Sequence, residues 1–272
     1  MSSNLRPIGV FDSGVGGITA VKEIHRLMPG EDIIYFGDTG RVPYGSKSHE
    51  IILKYANQDI SFLKSQGVKI IIAACGTVSS IVDIERQSDD IPFIGVVNPT
   101  CEAAISATEN KRIGVIGTSA TIKSNSYNRF IKSIDSEIQV YQKSCPLFVP
   151  LIENGISSLP YEIVHGIVKE ELKFFDEYNI DVLILGCTHY PIIEHIISEV
   201  IGSDVKIINS GREVAKCTQR FLKDKNLQSP KTTSGKYNFF VSDSAETFSE
   251  TANKFLGYNI VKDIREVNID LY

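Results

Sequence analysis

No apolar run in this chain is long enough to span a bilayer. The longest, around Val68–Cys75 and Val182–Cys187, have the length of buried strands, whereas a membrane helix needs about 20 apolar residues in succession. Nor does the start, Met1-Ser2-Ser3-Asn4-Leu5-Arg6-Pro7, offer the apolar stretch of a secretory signal, so a cytoplasmic protein is expected. The five cysteines (Cys75, Cys101, Cys145, Cys187, Cys217) include no C-x-x-C pair, and no histidine is spaced to complete a zinc site; a bound metal is not expected. In a chain without an export signal these thiols read as reduced. Positive charge is not in excess either. A net charge of −5 argues against broad, phosphate-driven nucleic-acid binding, and an anionic substrate must then be held by local donors, not by the field of the whole molecule.

What is present is a chain of 272 residues with 42% hydrophobic and 22% charged content, enough for one large or two ordinary globular domains with a sizeable core. Strand-length apolar runs alternate with helical patterns along nearly all of it. Strands are predicted at Ile8–Phe11, Ile33–Phe36, Lys69–Ala74, Phe93–Val97, Arg112–Ile116, Ile138–Tyr141, Val182–Leu185, Val205–Ile208 and Tyr237–Val241. Between them, Ile18, Val21, Ile24, Leu27 and Met28 fall on one helical stripe, as do Val164, Ile167, Val168, Leu172 and Phe175. Such βα alternation specifies doubly wound parallel sheets covered by helices on both faces. Leu227–Lys236, rich in Ser, Thr, Lys and Gly, reads as a surface loop.

A faint internal repeat suggests two related domains. Ile8-Gly9-Val10 leads into Asp12-Ser13 as Ile113-Gly114-Val115 leads into Gly117-Thr118, and the strand ending at Cys75-Gly76-Thr77 is matched by one ending in Gly186-Cys187-Thr188-His189. Ligands of open parallel sheets bind beyond the carboxyl ends of the strands, so each domain would bring one cysteine to a shared cleft. A cysteine at a helix start feels the positive end of the dipole, which favours thiolate, although free cysteine is also a common core residue. Cys101, Cys145 and Cys217 lack this setting and read as core or incidental. The Gly-rich turn Asp12–Gly17 offers helix-start N–H groups to an anion, but it matches neither dinucleotide nor P-loop patterns and serves equally as a structural turn. The stretch from Gly37 to Gly45 reads as a surface or binding loop. His189 reads as a capping or cleft residue, and Glu153-Asn154-Gly155 as a turn with an exposed acid.

Taken together, Gly9–Gly17, Gly37-Asp38-Thr39 with Pro43-Tyr44-Gly45, Ala73-Ala74-Cys75-Gly76-Thr77, Gly117–Thr121, Val149–Glu153 and Leu185–Pro191 resemble the glutamate racemases of the aspartate/glutamate racemase superfamily. The resemblance runs in family order over most of the chain. It implies two pseudo-symmetric α/β domains with the active site in the cleft between them, residues 1–98 with 209–272 forming the first and 99–208 the second. It implies Cys75 and Cys187 as acid/base thiols, Asp12, His189 and Glu153 as auxiliary groups, and a substrate site lined by Asp12, Ser13, Tyr44, Gly45, Gly76, Thr77, Thr118, Thr121, Thr188 and His189. It also implies no cofactor, a small-molecule substrate (glutamate), a supply of D-glutamate for peptidoglycan, no nucleic-acid or membrane partner, and an oligomeric state left open, a homodimer included.

One position departs from the family pattern. Asn usually stands between the first catalytic Cys and Thr, where this chain has Gly76. The lost amide contact is expected to touch affinity or choice of amino acid more than reaction type, so Gly76→Asn is expected to change KM and leave turnover intact. The competing expectations are an aspartate racemase, separated by one methylene and so by only about 1–3 kcal/mol of discrimination, a cysteine hydrolase built on Cys187 and His189, which leaves Cys75 unused, and a non-catalytic amino-acid-binding module on the same fold.

Overall fold

The computed structural model describes residues 3–82, 91–154, 156, 158–256 and 264–272; Met1, Ser2 and the Gly155 of the expected turn lie outside them. Among the described residues there are ten strands: β1 Ile8–Asp12, β2 Ile33–Gly37, β3 Ile70–Ala73, β4 Phe93–Gly95, β5 Arg112–Gly117, β6 Gln139–Ser144, β7 Val182–Leu185, β8 Lys206–Asn209, β9 Tyr237–Val241 and β10 Arg265–Glu266. They form two sheets, in the order β10-β9-β2-β1-β3-β4 and β6-β5-β7-β8, and every pairing is parallel. The order β2-β1-β3-β4 is repeated by β6-β5-β7-β8, so the sequence repeat is a repeat of topology. β3 and β7 hold equivalent places, each beside the strand that opens its unit.

Both faces of each sheet are covered, as parallel sheets require. In β1, Ile8 and Val10 enter one core and Phe11 another; in β7, Leu183 and Leu185 face one way and Val182 and Ile184 the other. The predicted helical stripes lie where expected. Helix Ile18–Leu27 buries Ile18, Ala20, Val21 and Ile24, and helix Tyr161–Leu172 buries Val164, Val168 and Leu172. Each large aliphatic side chain so removed from water contributes roughly 1.5–3 kcal/mol. Among the described residues no helix is long and apolar enough to cross a membrane.

Strand ends moved for local reasons. The fourth strand stops at Gly95, not Val97, because Val97 starts a helix with Pro99 in its first turn, where the missing N–H costs nothing. The sixth runs on to Ser144 through Gln142 and Lys143, polar residues that an edge strand tolerates and that mask it in sequence. Two-residue β10 is too short to carry any pattern. Glu153 sits not in a turn but in the last turn of helix Phe148–Asn154, whose Phe148, Leu151 and Ile152 are buried.

At the end of the first sheet away from the strand carboxyl ends, Lys69 Nζ meets Glu31 Oε2 at 2.6 Å with both side chains buried, and donates to the Leu227 and Asn4 carbonyls at 2.8 and 3.1 Å. Glu31 also accepts from Ser229 N at 2.7 Å. The pair pins the start of the 227–236 loop. Lys69→Met strands the Glu31 carboxylate without its cation and is expected to cost about 3–5 kcal/mol in urea unfolding; a loss below about 1 kcal/mol would mean that water reaches Glu31.

Candidate active site

β1 ends on Asp12, and the turn after it folds back on that carboxylate: Asp12 Oδ2 accepts from Gly17 N at 3.0 Å and Gly14 N at 3.2 Å. Burial raises the Asp12 pKa, while the charge of His189 and the backbone donors pull against the rise. The turn needs Gly16 for contact with the other half of the site and Gly17 for packing on its own strand end. A Cβ on Gly16 would lie 2.5 Å from the His189 ring and from Thr188 Oγ1, and one on Gly17 would lie 2.6 Å from Asp12 Cβ. Thr188 Oγ1 donates to Asp12 Oδ1 at 3.5 Å, and Thr19 Oγ1 donates to the Thr188 carbonyl at 2.8 Å. The carboxyl ends of β1 and β7 therefore face one another across a single cleft.

Cys75 lies two residues past β3, at the start of helix Gly76–Val82, and its Sγ donates to Ser13 Oγ at 3.5 Å. Burial pushes this thiol up to about 12, and the Asp12 carboxylate adds to the rise; Ser13 and the Val78 N–H oppose it without reversing it. The helix start was expected to favour thiolate here. Its contribution is present but loses to burial and to the neighbouring carboxylate.

Cys187 stands in the matching place past β7 with different neighbours. Its Sγ is 3.8 Å from His189 Nδ1, and His189 Nε2 is 2.9 Å from Glu153 Oε1. Burial alone would lower the His189 pKa, but the hydrogen bonds to Cys187 and Glu153 carry it up to about 10. Phe255 closes the other side of the ring, edge-on at 6.0 Å between centroids. The two sulfurs are near enough for Cys187 to contribute to the rise at Cys75.

Three hydroxyls link the strand ends of the two sheets. Thr77 Oγ1 is 3.0 Å from Thr118 Oγ1 and 3.5 Å from Thr121 Oγ1, and the last two are 3.0 Å apart. Thr118 caps helix Ser119–Ser124 and accepts from Thr121 N. Gly45 packs on Thr118: a Cβ there would lie 3.0 Å from Thr118 Cβ. The Tyr44 side chain turns away from the cleft, its hydroxyl bonded to Asp38 and, at 3.3 Å, to Asp59, so what this loop offers the cleft is the Gly45 backbone.

Sequence reasoning did not read the network behind that loop. Arg41 joins Asp38 Oδ2 at 2.6 Å, Asp59 Oδ1 at 3.2 Å and Gln58 Oε1 at 2.5 Å. Asp38 directly follows β2, so the strand-end rule that singled out Asp12 also reaches it. Cys145 likewise directly follows β6 in the place equivalent to Asp38; it has a strand-end setting after all, but is fully buried. Gly76 was read as a lost side-chain contact. The structure instead sets its Cα against the Gly186 carbonyl, where any Cβ would fall well inside contact distance, so the expectation that Gly76→Asn alters KM alone does not fit. Among the described residues no group of three or more His, Cys, Asp or Glu side chains is arranged to hold a metal ion.

Residues 20–218 match the model of the Asp/Glu/hydantoin racemase family. Over 269 residues the chain is 44% identical to a glutamate racemase of Thermoanaerobacter sp. (strain X514), covering 99% of this chain and 100% of that one. Among solved structures it is similar to glutamate racemase isoform RacE1 from Bacillus anthracis, with a TM-score of 0.92 and 37% identity over 97% of this chain and 98% of the other. It is also similar to the glutamate racemase of Francisella tularensis subsp. tularensis SCHU S4 solved in complex with D-glutamate, with a TM-score of 0.90 and 40% identity over 99% and 100%.

Proposed function

The chain belongs to the Asp/Glu/hydantoin racemase family, and from that premise we propose that it interconverts L- and D-glutamate by passing the α-proton between Cys75 and Cys187. Inversion requires a proton to leave one face of Cα and another to arrive on the opposite face, and two thiols on opposite walls do this without turning the substrate. The observation that carries this reading is the equivalence of the two cysteines, each two residues past the matching strand of a matching sheet, facing one cleft. The related proteins named above as glutamate racemases, similar over almost the whole chain, support glutamate as the substrate.

The unlike surroundings of the thiols assign the starting roles. With His189 raised to about 10, an imidazolium stands beside Cys187, Glu153 holding the ring from behind, and Cys187 takes the role of first proton acceptor. Cys75, pushed up to about 12, rests as the thiol that donates. A substrate presenting its α-hydrogen to Cys187 loses it there and gains one from Cys75, and the opposite enantiomer uses the pair in reverse. Ser13, Thr77, Thr118, Thr121 and Thr188 with the Gly45 and Gly76 backbone supply donors for the two carboxylates, and such preorganised donors also stabilise charge developing at Cα. Asp12 helps move the Cys75 proton. The reading calls on no cofactor. Residues 1–98 with 209–272 and residues 99–208 act as the two walls, in keeping with the strands each sheet draws on. D-glutamate so formed supplies peptidoglycan synthesis in the cytoplasm, where the thiols stay reduced.

The test is incubation of L- or D-glutamate with the protein in D₂O, following the α-proton by NMR and the enantiomers by chiral chromatography. Loss of the α-proton signal with inversion is expected for glutamate. Exchange confined to aspartate would move the substrate assignment, and absence of exchange with any amino acid would overturn the reading.

A further inference from the structure

The two halves of the site are in close backbone contact at Gly76. A Cβ built there falls well inside contact distance of the Gly186 carbonyl oxygen. Gly76 directly follows Cys75 and Gly186 directly precedes Cys187, so this contact joins the two thiol-bearing segments themselves. The atom it meets is backbone, and the Gly186 amide is tied to the Ile116 carbonyl at 2.8 Å; it cannot swing aside as a side chain would. Gly16 repeats the arrangement against His189 and Thr188 at 2.5 Å, and Gly45 more mildly against Thr118 at 3.0 Å. With these contacts made, Cys75 is 5% and Cys187 6% exposed.

We propose that Gly76 is a positioning residue that sets how far the cleft closes. Without a Cβ, it lets the end of β7 come to rest on the start of the Cys75 helix and so fixes the spacing between the thiols. The catalytic consequence rests on the two-thiol reading above, whereas the closure itself does not. A methyl group at 76 leaves the local helix intact or improves it, since Ala is the better helix former, and its effect is that of a wedge between the walls. A displacement of about 1 Å in a reacting pair can cost about 100-fold in rate.

The experiment compares the full-length chain with Gly76→Ala. Iodoacetamide labelling of Cys75 and Cys187 is followed residue by residue by mass spectrometry, with circular dichroism to verify the fold. A wedge makes both cysteines label faster; fraying of the Cys75 helix alone would speed only Cys75, and an unchanged Cys187 overturns the proposal. In the kinetic arm kcat is expected to fall about 100-fold for both enantiomers with a smaller change in KM, and a wild-type kcat overturns the catalytic part. If the unsubstituted chain does not racemise glutamate, the functional reading fails while the labelling still decides closure. Should Gly76→Ala not fold, Gly45→Ala is the milder wedge, with the same expectation of faster Cys187 labelling and the same refutation if it is unchanged.

Discussion

Replacing either cleft cysteine with alanine is expected to end racemisation, with losses of roughly 10⁴-fold, because in the proposed mechanism each thiol is an obligatory general acid or base and such groups contribute up to about 10⁴. The two variants are expected to differ in what survives. In Cys75→Ala, Cys187 keeps His189 at 3.8 Å and, through it, Glu153. It can still take the α-proton from the enantiomer that presents it and return solvent deuterium to the same face, giving exchange with retention. In Cys187→Ala the remaining thiol is buried beside Asp12 and held at about 12, so exchange falls on the opposite enantiomer and runs more slowly. NMR of the α-position in D₂O, with chiral analysis of the same samples, reads both. Inversion persisting in either variant would sink the two-thiol mechanism, and exchange of one and the same enantiomer by both variants would show that the thiols do not face opposite sides of Cα.

The pair of cysteines was legible because the signal was local and doubled. Val68–Ala74 and Val182–Leu185 are strand-length runs that each end just before a cysteine, with a helix starting at Gly76 after the first but only a turn leading to a 3-10 segment at Tyr190 after the second, and the strand-end rule needs nothing more. The repeated order of four strands was foreshadowed by only two short matches, yet βα alternation fixes how such units wind. The Cys187–His189–Glu153 chain came by resemblance alone: Glu153 is 36 residues from His189 and sits on a helix across the second sheet's edge, a contact no periodicity encodes. Arg41 with Asp38 and Asp59 stayed hidden for the same reason. The direction of the Cys75 shift was misjudged because a helix start is visible in sequence, while the depth of burial and the approach of Asp12 are not. Gly76 shows a different limit. A glycine announces a missing side chain but not what occupies the space, and here it is the backbone of the opposite wall.

His189→Gln is expected to lower kcat by about 10²–10³, within the range of a lost general acid/base partner, and to change how both activity and stability follow pH. In the folded protein His189 is carried from 6.5 up to about 10 by Cys187 and Glu153, against the opposing effect of burial. Between those two values the native state holds a proton that the unfolded chain has lost, so stability falls as pH rises. The contribution is complete below about pH 6.5 and gone above about pH 10. Urea unfolding across that window should show the decline in the unsubstituted protein and a flatter profile in His189→Gln. Activity follows the same proton: racemisation should fall as pH passes about 10, a limb the variant lacks. Glu153→Gln should act in the same sense but more weakly, since Glu153 is partly exposed and Cys187 remains in contact with the ring. Because enantiomers have equal free energies in an achiral solvent, kcat/KM must stay equal in the two directions for every variant. His189, however, touches only one of the two thiols, Cys187, and so acts unequally on the two directions. Its loss should therefore change the ratio of the two kcat values while their kcat/KM values fall together. A His189→Gln protein with unchanged kcat and an intact alkaline limb would place the working proton somewhere other than the Cys187–His189 pair.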